Sequence, residues 1–113
     1  MKQNEIWLID LEPTIGAEMK KKRPAIIVNH NGLGKLPLKI IIPITDWKDK
    51  YSLAPWMVKL EPNENNGLSK ISAVDCFQLR SISQERLSTK IGEIDLITQS
   101  EIKLALSKVL DLY

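Results

Sequence analysis

The 113-residue sequence predicts a mainly β protein, a small and strongly bent antiparallel barrel closed by a C-terminal helix. Three observations predict it. Short runs of β-branched and apolar residues recur from Glu5 to Phe77, clusters of Pro, Gly and Asn separate them, and only the last stretch carries a helical period.

Glu5–Leu11 mixes β-branched and aromatic residues with polar ends and is stopped by Pro13, so it reads as a first, half-buried strand. The segment from Glu12 to Lys22 is long for a hairpin, and its charges favour a functional loop. Pro24–Asn29 is a continuous apolar run suited to the core, and Asn29–Pro37 holds the turn residues that follow it. Lys39–Thr45 is a third strand. Pro43 cannot donate to a ladder, which implies a strand end or bulge there, with Thr45 re-aimed at the rim. Trp56–Leu60 and Lys70–Phe77 are further strands around the turn Glu61–Gly67, and a short helical turn is expected between Ser81 and Arg86. Gln78 and Arg80 stand two apart, which on a strand gives them one face. Thr98-Gln99-Ser100-Glu101 has the form of a capping box with Ile97 and Ile102 as its staple. The helix it opens carries Ile102, Ala105, Leu106, Val109 and Leu110 on one face, with Leu104 and Leu112 off that stripe as a hint of a dimer contact.

With 43% hydrophobic residues the chain supports one core, hence a single domain over residues 1–113. Its net charge of +2 is unevenly placed: residues 1–60 carry ten Lys/Arg against six Asp/Glu, and residues 61–113 six against eight. A polyanion should therefore meet the N-terminal half. The lone Cys76 reads as a small buried hydrophobe in a reducing compartment. With neither a signal peptide nor a spanning apolar run in view, a cytoplasmic protein without membrane contact is expected. There is no phosphate-binding glycine loop, zinc-protease motif or cysteine pair, so the expected chemistry uses no metal or cofactor.

The chemistry-bearing stretch is Gly16–Pro24, where Lys20, Lys21, Lys22 and Arg23 run consecutively into a strand-opening proline. A charge run is as readily a solvated face as a phosphate contact. Arg23 differs in kind from the lysines because Pro24 restrains its backbone, and a guanidinium offers a phosphate two parallel donors that ammonium cannot. Thr45 serves equally as a ligand-facing hydroxyl or as a turn cap, Gln78 and Arg80 as a second contact or as an ordinary polar face. His30, on a turn, is an alternative acid–base group. Trp47 and Tyr51, beside Lys48 and Lys50, suit stacking on unpaired bases or covering a barrel end.

Taken in order, Glu5-Ile6-Trp7, Pro13-Thr14-Ile15-Gly16-Ala17-Glu18, Lys22-Arg23-Pro24, Pro43-Ile44-Thr45, Gln78-Leu79-Arg80 and Arg86-Leu87 resemble the MazF/PemK family of toxin endoribonucleases over nearly the full chain. The resemblance implies an SH3-like barrel, a homodimer, metal-independent cleavage of single-stranded RNA at preferred sequences, and control by a cognate antitoxin. It implies catalytic roles for Arg23, Thr45 and Glu18, beside which Lys20, Lys21, Lys22, Gln78, Arg80 and Arg86 are the expected RNA contacts. Ala17 stands where many relatives carry Ser, and Phe77 where many carry an acid. Two other readings are a gyrase-poison toxin of the similar CcdB type and a non-catalytic RNA-binding module. A steep salt dependence of binding without scission would mark the latter.

Overall fold

The computed structural model describes residues 1–11 and 22–112. Its strands are β1 (Glu5–Asp10), β2 (Lys22–Ile27), β3 (Leu38–Asp46), β4 (Met57–Leu60), β5 (Ser72–Asp75), β6 (Arg80–Ser83) and β7 (Leu87–Glu93), followed by the helix α1 (Leu96–Leu110). All pairings are antiparallel, in the order β4-β5-β3-β2-β1-β7, with β6 alongside β3. Among the described residues the ladder ends at β4 and β7, so the expected barrel is a bent sheet whose strand pairing does not close.

β3 is the axis of the sheet. One edge pairs with β2 over residues 41–43, while the other pairs with β6 over 38–41 and then with β5 over 44–46. Val28 donates to the Ile40 carbonyl, and by alternation Ile42 also faces β2. Pro43 therefore turns its donor-less nitrogen to the opposite edge, into the interval where β6 has ended and β5 has not begun. A proline inside a nine-residue strand costs no ladder bond at that point. The strand thus runs through Pro43 and carries Thr45 within it, rather than ending there as the proline implied.

Both faces of the sheet are apolar. Ile6, Ile26, Ile42, Ile44, Val58 and Val74 pack against Ile102 and Ala105 of α1, while Ile9, Ala25, Ile27, Ile41, Ile82 and Leu87 form a second cluster on the opposite face. Leu110, expected on the buried stripe, is exposed, as are Leu104 and Leu112.

Three further expectations change. The stretch Lys70–Phe77 forms a strand only from Ser72 to Asp75, and a 3-10 turn, Cys76–Gln78, follows it, so Gln78 and Arg80 do not share a strand. β7 has no counterpart in the sequence reading. Its alternation is interrupted by two register shifts against β1 and by exposed Ser88, Thr89 and Lys90. Finally, α1 begins two residues before Thr98: the Asp95 carboxylate accepts from the Thr98 amide at 2.8 Å and is the true N-cap.

A closely packed junction joins the turn after β4 to β7. Asn66 is fully buried and satisfied by its neighbours, accepting from the Asn63 and Leu68 amides and donating to the Glu61 carbonyl. Gly67 has φ +69°, and a Cβ there would overlap the Ile91 carbonyl, so only glycine fits.

Candidate active site

The register of three strands assembles the site. Ala25 pairs with Pro43, so continuing the β2–β3 register sets Arg23 opposite Thr45. Arg23 Nη1 donates to Thr45 Oγ1 at 3.2 Å, and both side chains are half-buried. On the other side Thr45 pairs with Ala73, and Ala73 pairs with Lys59. Paired residues share a face, so Arg23, Thr45, Ala73 and Lys59 form one row across four strands. It lies on the face of the Ile9–Ile27–Ile41 cluster, where that face turns from apolar to polar.

The chemical consequence lies in the direction of the Arg23–Thr45 bond. A hydroxyl that accepts from a guanidinium keeps its own proton to donate. Thr45 is thereby oriented as a donor to an incoming oxyanion beside a fixed positive charge. A compact ammonium in place of the planar guanidinium would not reproduce both effects.

Strand alternation puts Asp75 on the same face, two positions beyond Ala73. Its side chain is only 6% exposed. One carboxylate oxygen accepts from the Phe77 amide at 3.2 Å and the other from Gln78 Nε2 at 3.1 Å. Burial pushes the Asp75 carboxyl above its ordinary value, against the opposing pull of these two bonds. Neighbouring Cys76 is fully buried as expected, and burial, with the Asp75 charge, pushes its thiol up to about 12, which leaves it a poor nucleophile.

The remaining sequence-predicted residues divide by position. Arg80 pairs with Ile41 and so belongs to the same face, four residues along β3 from Thr45. Lys22 pairs with Asp10 on the opposite face, where it lines an open cleft with Ser83 and Arg86; Arg86 Nη1 donates there to the Asp10 carbonyl at 3.0 Å. Arg86 and Lys22 therefore stand together, apart from the Arg23–Thr45 row. Glu18, Lys20 and Lys21 lie outside the described residues. His30 is in the turn at the far end of β2, about 20 Å of extended chain from Arg23, where Nδ1 accepts from the Gly32 amide. Asp75 was missed from sequence because an acid inside an apolar strand carries no mark of its partner in the next turn. Lys59 carries no functional signal in the sequence; its ammonium lies 5.2 Å from the centre of the Trp47 ring. Trp47 also meets Tyr51 edge to face, as the aromatic cluster around this loop allowed. Among the described residues no three His, Cys, Asp or Glu side chains gather as a metal cage would require.

The site is thus a half-buried arginine–threonine pair, a cation beside an oriented hydroxyl, on a bent antiparallel sheet. The chain belongs to the family of PemK-like, MazF-like toxins of type II toxin–antitoxin systems, whose profile matches residues 2–110. It is 29% identical to the endoribonuclease MazF9 of Mycobacterium tuberculosis over 119 aligned positions, covering all of this chain and 98% of that protein. It is 28% identical to the endoribonuclease PemK of Escherichia coli, covering 97% of this chain and 82% of that one. Among solved structures, an endoribonuclease from a mycobacterial species in complex with its cognate antitoxin has the same fold, with a TM-score of 0.79 at 18% identity over 100% of this chain and 97% of that one.

Proposed function

We propose that this chain is one endoribonuclease domain that cuts single-stranded RNA by activating the RNA's own 2′-hydroxyl. The observation that carries the reading is the 3.2 Å contact between Arg23 Nη1 and Thr45 Oγ1, which pairs a fixed positive charge with an oriented hydroxyl. In the reaction the 2′-oxygen attacks phosphorus and loses its proton to a base. The bond from phosphorus to the 5′-oxygen breaks, and the leaving oxygen takes up a proton. The products are a 2′,3′-cyclic phosphate and a 5′-hydroxyl. Arg23 stabilises the charge that builds on the phosphoryl oxygens and Thr45 donates to a non-bridging one. A guanidinium stays charged throughout and is a stabiliser rather than a proton donor. Glu18 is the proposed base or orienting partner of Arg23. Lys20, Lys21 and Lys22, with Gln78, Arg80 and Arg86, are the proposed RNA contacts.

The reading includes a cytoplasmic site of action, a second copy of the chain, and a cognate antitoxin whose acidic segment competes with RNA for the same cations. The mycobacterial relative solved with its antitoxin supports that partner. No helix among the described residues is long and apolar enough to cross a membrane. Leu33, Leu36, Leu38 and Ile40 form an exposed apolar surface suited to a second copy.

The test is single-turnover cleavage by the wild type, Thr45→Ala and Arg23→Lys. Losing one oxyanion donor lowers rates about 100- to 1,000-fold, which is the loss expected for Thr45→Ala. Arg23→Lys keeps the charge without the fork and should also be crippled. Near-wild-type cleavage by either variant contradicts the assignment. Salt-sensitive binding with no scission by the wild type would instead favour the RNA-binding module.

A further inference from the structure

We infer that Lys59, held in place by Trp47, binds an RNA phosphate flanking the one that Arg23 and Thr45 engage: Lys59 is an RNA contact and Trp47 its positioning residue. The inference rests on the nuclease reading above and adds a second phosphate contact to that site.

Lys59 stands in the row that carries Arg23 and Thr45, with the fully buried Ala73 between it and Thr45. The ring that its ammonium reaches belongs to Trp47, which lies just past the end of β3. The Trp47 amide donates to the Ile71 carbonyl, and this continues the β3–β5 ladder one residue beyond the pairing of Asp46 with Ser72. By alternation Trp47 faces the same way as Thr45, about 7 Å along the chain. β5 lies between β4 and β3, so the Lys59 side chain crosses β5 towards the site to reach that ring. Its Nζ, 5.2 Å from the ring centre, is thereby placed on the Thr45 face beside the Arg23–Thr45 pair.

The kind of contact decides what the lysine can do. An exposed lysine has a flexible stem that loses entropy on binding, and a carboxylate partner would fix it only by cancelling its charge. The indole face attracts the ammonium without neutralising it and occupies one side of it, which leaves N–H groups to donate outward. Among the described residues no carboxylate lies within ion-pair distance of Lys59, although Glu61 follows two residues on. Tyr51 holds the indole in turn, edge to face, with ring centres 5.9 Å apart. Lys59 is exposed while Trp47 is half-buried, so the ring lies under the charge and the charge meets solvent. A fixed, uncancelled cation on the face of the Arg23–Thr45 pair suits the next phosphate of a strand lying across that pair.

The experiment measures binding of a short single-stranded RNA between about 50 and 200 mM salt. The strand carries the cleavage sequence with a 2′-deoxy sugar at the cut, so it stays intact. Losing one phosphate contact on a single strand lowers the slope of log K against log salt by about 0.7, which is the change expected for Lys59→Gln, with affinity about tenfold weaker at low salt. Trp47→Leu should weaken binding about threefold, Trp47→Phe should stay near the wild type because it keeps a ring face, and Trp47→Leu/Lys59→Gln should bind no worse than Lys59→Gln. A neutral methylphosphonate at the flanking linkage should weaken the wild type and leave Lys59→Gln unaffected. In cleavage of the unmodified strand, Lys59→Gln should raise KM about tenfold with kcat nearly unchanged. An unchanged salt slope in Lys59→Gln would overturn the inference. So would a Trp47→Leu loss that persists in full beside Lys59→Gln, since it would make Trp47 a packing residue. If the wild type cuts no RNA, a slope lowered by Lys59→Gln on the unmodified strand would show that the phosphate contact exists and that the nuclease reading fails.

Discussion

Arg23 and Thr45 are twenty-two residues apart and meet because β2 and β3 are adjacent antiparallel strands. Residue types alone left Arg23 open between a phosphate contact and a solvated charge, and Thr45 open between cap and ligand; the register sets the two face to face. Asp75 shows the opposite case. Phe77 stands where the family resemblance led to an acid, and the carboxylate beside Gln78 comes from two positions earlier, through a turn that sequence period does not reveal. Glu5 acts on stability, away from any RNA contact. Burial opposes its ionisation, but the Lys2 amide, the Trp7 indole and the Lys90 ammonium outweigh burial and hold its carboxyl at about 2. A depressed folded value means that ionised Glu5 stabilises the fold above the ordinary carboxylate range, near 4.5, and that this contribution fades as pH falls towards about 2. Glu5→Gln should therefore be less stable by about 2 kcal/mol at pH 7, with the gap narrowing towards pH 2 in denaturant titrations. A pH-independent gap would contradict the linkage.

The elements differ in how much of them the sequence exposed. β1, β2, β3 and β4 were legible because their apolar runs are bounded by proline and asparagine turns. β7 was not, because only Leu87 of its residues is buried and its pairing slips twice against β1. The helix was legible in existence but not in its start. Two capping patterns overlap there, and Asp95 prevails because its carboxylate reaches the Thr98 amide. Bonding to the Thr98 backbone and side chain lowers the Asp95 carboxyl below its usual range. Asp95→Ala should lower the melting temperature more than Thr98→Ala at pH 7, with the effect of Asp95→Ala shrinking as pH falls through that lowered value. The reverse order of the two variants would restore Thr98 as the cap. The junction with β7 gives a larger effect. Gly67→Ala meets the Ile91 carbonyl at a positive φ, and Asn66→Ala removes the side-chain bonds that satisfy a fully buried turn. Each should cost about 2–4 kcal/mol in chemical denaturation, and a change below ~0.5 kcal/mol would show that the turn can move away from β7.

At the scale of the molecule, the sheet separates its charges by face. Arg23, Thr45, Lys59, Asp75 and Arg80 share one face, while Lys22 and Arg86 line a cleft on the other. An RNA that contacts all the cations must therefore wrap an edge, or span two copies of the chain. The apolar surface from Leu33 to Ile40 supplies a place for the second copy. Light scattering should give twice the chain mass of 12.9 kDa. Leu38→Glu with Ile40→Glu should return it to the single mass, whereas Leu104→Glu on α1 should not. Dissociation by Leu104→Glu alone would move the interface to the helix. RNA cleavage by this chain requires Arg23 to act on a phosphate whose nucleophile comes from the RNA. The most direct measurement incubates the wild type and Arg23→Ala with a long single-stranded RNA in excess chelator and determines the chemistry and sequence of every new end. Cuts at a recurrent short sequence, ending in 2′,3′-cyclic phosphate and 5′-hydroxyl and lost in Arg23→Ala, are the predicted result. Ends bearing a 5′-phosphate, or equal cutting by Arg23→Ala, would contradict it.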